Sequence, residues 1–162
     1  MRLKPAWLVP FTVIATLTIL FLIAKARYVG SASAASGCDS GLWKHVYRPK
    51  RLRILKECAE LRGRVVAVQR DSDGDVHISV DPDDAAVLNL VNLLHNRGLV
   101  PAEAICEHEP EQGEAKPACA GFTLQLALPV VGDRIRVLGA YVTDRENGWN
   151  EIHPITRLER LR

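Results

Sequence analysis

Aromatic side chains are scarce in this chain of 162 residues: three Trp, three Tyr and three Phe make up 6% of it. Beyond Tyr28 only Trp43, Tyr47, Phe122, Tyr141 and Trp149 remain. Single-strand nucleic-acid binding by a small barrel uses several stacking platforms along a basic groove, so that class is disfavoured. Net charge is also small, +2, and says little about partners. No G-x-S-x-G element is present, which removes the nucleophile-elbow hydrolases, and no glycine-rich loop offers to cradle a phosphate. None of the four cysteines stands in C-x-x-C spacing, against a zinc ribbon or a thioredoxin-like motif. H-x-H and H-x-x-x-H are absent among the five histidines, so no local imidazole pair is set up for a metal.

What is present begins with an uncharged run from Pro5 to Ala24, preceded by Arg2 and Lys4 and closed by Lys25 and Arg27. As a helix it is long enough to cross a hydrocarbon core of roughly 30 Å, and Trp7 suits an interfacial anchor. Residues 1–27 are therefore expected to be a transmembrane signal anchor. The competing reading is a cleaved signal peptide releasing a secreted protein; its A-x-A site, Ala32-Ser33-Ala34, lies unusually far beyond the run. Cys38, Cys58, Cys106 and Cys119 all follow this segment and suit two disulfides in an oxidising compartment. Three connectivities are open; the expected one joins Cys106 to Cys119 and Cys38 to Cys58. The domain is thus expected outside the cytoplasm, single-pass at the cell membrane.

Residues 28–37 are small and polar, as in a flexible tether, and residues 38–162 form the domain. From Lys44 to Lys56 the chain is basic, with Leu52, Ile54 and Leu55 suggesting a part-buried strand beneath the charges. Arg64–Arg70 and Val76–Val80 read as a hairpin turned at Asp71-Ser72-Asp73-Gly74-Asp75. That turn does not keep an EF-hand register, because its sixth and twelfth positions are Val76 and Pro82. Asp83–Asn96 is expected to be helical, with Val87, Leu90, Val91 and Leu94 on one apolar face. Leu99–Ile105 is a further strand, and Glu107–Ala118 an acidic loop between two cysteines. Asp71 to Glu114 carries eleven acidic residues against the single Arg97, so the domain is expected to be dipolar in charge.

The last segment, Val131 to Ile155, reads as two strands. Ile135 and Val137 alternate with Arg134 and Arg136, and Arg145-Glu146-Asn147-Gly148 supplies a turn. The return strand carries Trp149, Glu151 and His153 on one face and Asn150 and Ile152 on the other. Pro154 lacks an N–H and is expected near a strand end or edge.

Five strands opened and closed in this way resemble an OB-fold barrel. Gly139, Tyr141, Asp144, Gly148, Trp149, Glu151, Ile152, His153 and Pro154, with an earlier Asp73, Gly74, Asp75, His77 and Ile78, resemble exported bacterial OB-fold proteins of uncharacterised function. Those proteins end in a G-x-Y-x-x-D…G-W-x-E-I-H-P hairpin, and the resemblance spans Leu52 to Leu158. It implies a mainly β, OB-like five-stranded barrel with one helix. OB barrels usually carry that helix between strands three and four, whereas here the clearest helical pattern falls between strands two and three.

Asp73, Asp75 and His77 share a period of two, as do Glu151 and His153. Convergence of the two sets would give a candidate polar cluster of Asp73, Asp75, His77, Glu151 and His153, with His77 and His153 within about 10 Å across a closed barrel. His77, His153 and Glu151 are the candidate ligands of a divalent metal, or half of a His/carboxylate acid–base pair. The plainer alternative is that the imidazoles fasten the hairpins and Trp149 packs in the core. The leading expectation is a membrane-tethered, extracytoplasmic OB-like binding or interaction module for a protein, oligosaccharide or nucleic-acid ligand. The rival is a metal-dependent hydrolase, with phosphodiesters as the candidate substrates. Catalytic residues are not assigned by the sequence.

Overall fold

The computed structural model describes residues 37–162. The anchor expected over 1–27 and, apart from Gly37, the tether over 28–37 lie outside the described residues. Five strands form a closed sheet: β1 (Leu52–Arg70), β2 (Val76–Pro82), β3 (Val100–Ala104), β4 (Arg134–Asp144) and β5 (Asn150–Leu161). Their order is β1-β2-β3-β5-β4, closed because β1 pairs with both β2 and β4. All pairings are antiparallel except β3 with β5.

The end of the basic stretch, from Leu52 onward, and the first hairpin arm are one strand, β1. Its first part pairs with β4 (Leu52 opposite Asp144) and its last part with β2, with Gly63 and Arg64 pairing with both. Of the residues expected beneath the charges, only Leu52 is buried; Ile54 and Leu55 are exposed, because β1 has just β4 beside it there. Alternation then does the sorting. Leu61 and Val65 enter a core with Val76, Ile78, Val80, Val100, Ala102, Ile135, Val137, Ile152 and Ile155, while Val66 on the opposite face is exposed. A second apolar cluster, outside the closed sheet, packs Leu42 and Val46 onto Ala140, Val142 and Ile105.

The single helix expected over Asp83–Asn96 is a 3-10 turn (Ala85–Val87) followed by a short helix, α1 (Leu90–His95). Asn89 breaks it, since its side chain accepts the Asn92 N–H while the Asn92 side chain accepts the Asn89 N–H, a reciprocal cap. The apolar face also differs from expectation. Leu90, Leu93 and Leu94 are exposed, and the buried residue is Asn92. Its amide donates to the Leu99 and Asn150 carbonyls and accepts the Asn150 N–H. A second short helix, α2 (Lys116–Cys119), lies between β3 and β4.

Pro154 sits inside β5 and not at its end; the His153–Pro154 bond is cis. The β4–β5 register slips there, from Gly139 opposite Ile155 to Tyr141 opposite Ile152, so the ladder tolerates a residue without an N–H. A Cβ on Gly139 would run into the Pro154 carbonyl and the Ile152 side chain. Disulfides join Cys38 to Cys58 and Cys106 to Cys119, and among the described residues no cysteine is free. No described helix is long and apolar enough to cross a membrane.

Candidate functional site

The β2–β3 ladder sets His77 directly opposite Glu103, and the parallel β3–β5 contact pairs Ala102 with Ile152. Ala102 and Ile152 point into the core, so Glu103, Glu151 and His153 project to the other face of the sheet. The leading segment and the β3–β4 loop help to cover this face: Tyr47 and Gln112 hydrogen-bond to one another, and the Gln112 N–H donates to Ser72 in the β1–β2 turn. Left between them is a solvent-reachable cavity of about 250 Å³.

His77, Glu103, Asp71, Asp73, Glu151 and Trp149 line the cavity, with Arg51 and Asp144 paired on its wall. His77 Nδ1 is 2.7 Å from Glu103 Oε1 and 4.0 Å from Asp71 Oδ2. Burial opposes charge on the imidazole, but the Glu103 hydrogen bond and the charges of Glu103, Asp71 and Glu151 raise its pKa to about 9. Burial likewise pushes the Glu103 carboxyl up, and His77 more than offsets it, holding that carboxyl below its ordinary value. The two form a charged pair. Asp71 is pushed up, by burial and then by the like charge of Glu103.

Behind this floor sits a second pair. His153 Nδ1 lies 3.2 Å from Glu151 Oε1, while the Trp149 indole N–H donates to Glu151 Oε2 at 2.9 Å. His153 is buried, its Nε2 has no hydrogen-bond partner, and burial works against its charged form. The Glu151 hydrogen bond and the charges of Glu151, Glu103 and Asp75 reverse that and raise its pKa. Asp75 is also buried; its carboxylate accepts the Cys106 N–H at 2.8 Å. Burial, with Asp73 and Glu103 nearby, brings its pKa up to about 7 despite the opposing influence of His153 and that N–H.

Of the five residues expected to cluster, Asp73, His77 and Glu151 line the cavity, whereas Asp75 and His153 lie buried outside its lining. Asp73 and Asp75 belong to the turn and not to a strand, so their period of two does not carry over as expected. Trp149 is a cavity wall, held by Glu151, and belongs to neither apolar cluster. Sequence reading missed Asp71 and Glu103. The signal for Glu103 was a carboxylate interrupting the apolar run Leu99–Ile105; the signal for Asp71 is only its closeness in chain to Asp73. His45 is half-buried and stacks on Phe122 with ring centroids 3.8 Å apart.

Asp71, His77 and Glu103 bring one ligand atom each to within 4.8 Å of one another. Asp75 similarly approaches Cys106 and Cys119, but those sulfurs are joined to each other and offer no thiolate. Adjoining the cavity is a second one of about 510 Å³, lined by Arg48, Pro49, Lys50, Arg51, Arg145 and Glu146. Arg48 is spanned to Glu146 by two hydrogen bonds, at 2.5 and 3.1 Å. The site therefore has an acidic floor and a basic lip. No protein-family model matches the chain, and no curated protein matches it in sequence.

Proposed function

We propose that the chain is a membrane-tethered, extracytoplasmic OB-like module that binds a polar ligand in the cavity on the outer face of its sheet. The observation that carries this is the convergence at one cavity of charged side chains from the segment before β1, the β1–β2 turn, β2, β3, β4 and β5. Buried charges are costly to assemble and cluster at functional sites. The strand order, with β1 shared, β3 parallel to β5 and α2 between β3 and β4, supports the OB-like reading. Four paired cysteines and the Pro5–Ala24 run support placement outside the cytoplasm behind an anchor; secretion after cleavage is the other outcome. Protease treatment of intact spheroplasts separates them: an anchored domain is digested from the outside and leaves a membrane fragment.

The hydrolase reading is favoured by one specific feature, the His77–Glu103 pair, whose part-exposed imidazole lines the cavity beside the arginines and Lys50 of the neighbouring one. Both readings are tested with the purified full chain. Pyrophosphate, a chitin disaccharide and a dinucleotide are titrated while the Trp149 indole N–H is followed by NMR. Binding in the cavity shifts that signal; no shift with any of the three contradicts the proposal. Turnover of bis(4-nitrophenyl) phosphate, lost on His77→Ala, distinguishes an enzyme from a binding module.

A further inference from the structure

We propose that Asp71, His77 and Glu103 hold a divalent first-row cation, Mn²⁺ or Zn²⁺, at the floor of the cavity. The proposal rests on the cavity being a ligand-binding centre and names what makes its acidic floor workable. Once the ion displaces the proton held between His77 and Glu103, one imidazole and two carboxylates form a mixed nitrogen and oxygen donor set suited to these ions. Their ligand atoms lie within 4.8 Å of one another, and they come from three places that the fold fixes independently: the β1–β2 turn, β2 and β3. Three protein ligands leave open positions, and the cavity gives them access to solvent.

Charge balance is a second, separate observation. Six carboxylates line the cavity, Asp71, Asp73, Glu103, Asp144, Glu146 and Glu151, against Arg48, Arg51 and His77. Both arginines are engaged at the lip, Arg51 with Asp144 and Arg48 with Glu146. With Glu151 engaged by His153, the floor keeps Asp71, Asp73 and Glu103 facing the His77 imidazole, an excess of negative charge that a dication neutralises. It would also turn the floor into a partner for an anionic ligand group gripped by the basic lip.

His153 is excluded from this ligand set, because it is buried outside the cavity lining. Glu151 and His153 stand behind the ligands as a supporting pair. The assignment thus departs from the ligands expected from the sequence, His77, His153 and Glu151.

The full chain, purified in detergent and stripped by chelator, is titrated with Mn²⁺ alone and then with Zn²⁺. One ion per chain is expected, with affinity falling at least about 100-fold in His77→Ala and in Glu103→Gln. Unchanged affinity in either variant overturns the site. If a variant does not fold, wild-type protein labelled with ¹⁵N-histidine decides: bound Mn²⁺ should show spin-echo coupling to one imidazole nitrogen. Coupling to none or to two, or no stoichiometric binding, overturns the assignment. If Mn²⁺ fails to bind while pyrophosphate or the chitin disaccharide still shifts the Trp149 indole, the cation is wrong and the ligand cavity stands. If none of them acts on the protein, both fall.

Discussion

His77 and Glu103 are direct partners in the β2–β3 ladder, and their side chains meet at 2.7 Å on the outer face of the sheet. The contact is a charged pair with Glu103 almost wholly withdrawn from water. Removing one member strands the other charge. His77→Ala is expected to lower unfolding free energy by about 3 kcal/mol. Replacing both by leucine is expected to be near neutral, since the desolvation cost disappears with the pair. Urea unfolding of both variants checks this, and a double variant as unstable as the single one would contradict it.

Asn92 is the polar pivot between α1 and β5. Asn92→Leu leaves the Asn150 N–H without its acceptor and the Leu99 and Asn150 carbonyls without its amide. A loss on the order of 3 kcal/mol is expected, because buried polar groups left unpaired cost roughly 1–3 kcal/mol each. Leu94→Ser, at an exposed position, should change stability by less than about 0.5 kcal/mol. Thermal unfolding of the two variants should rank them in the reverse order of their hydropathy.

That ranking shows where sequence reading reached its limit. Strand alternation placed Ile135, Val137, Ile152, Glu151 and His153 on their proper faces, because one residue in two is a rule of the backbone. The apolar pattern at Val87, Leu90, Val91 and Leu94 pointed to a longer helix with a buried leucine face. The pairing of Asn89 with Asn92, and of Asn92 with Asn150 some sixty residues on, overrode it. Glu103 was likewise invisible as a partner of His77, since only β-sheet register brings those positions together.

Gly139 lies where β4 and β5 close on each other around Pro154. Gly139→Ala puts a methyl group against the Pro154 carbonyl and the Ile152 side chain. Overpacking of this kind costs about 1–3 kcal/mol. A lowered unfolding midpoint is the expected result, and a variant as stable as the wild type would show that the strands separate freely there.

Asp144 organises the β4–β5 turn. Burial pushes its carboxyl up, but the Glu146 N–H, the Arg51 guanidinium and the Asn147 donors together hold it below its ordinary value of 3.8. A carboxyl depressed in the folded state adds stability that is fully present above its unfolded value and is lost as pH falls through the folded one. Between pH about 5 and 2, wild type should therefore lose stability more steeply than Asp144→Asn. Urea midpoints across that range check it; equal slopes would contradict it.

The Cys106–Cys119 bridge closes a loop with a sequence separation of 13 residues, and the Cys106 N–H caps Asp75 at 2.8 Å. Replacing both cysteines by serine should cost about 3 kcal/mol through the freed unfolded chain. Non-reducing peptide mapping should recover Cys106 with Cys119 and Cys38 with Cys58; a Cys58–Cys106 peptide would contradict the fold.

The central claim is that the cavity around His77 and Glu103 exists to bind a ligand and not to fasten two strands. The most direct test compares the Trp149 indole signal of wild type and of the His77→Leu/Glu103→Leu double variant during titration with pyrophosphate, the chitin disaccharide and the dinucleotide. Retained stability with loss of the ligand-induced shift is the predicted result. A wild-type signal that responds to none of them, or a folded double variant that responds as the wild type does, would contradict the claim.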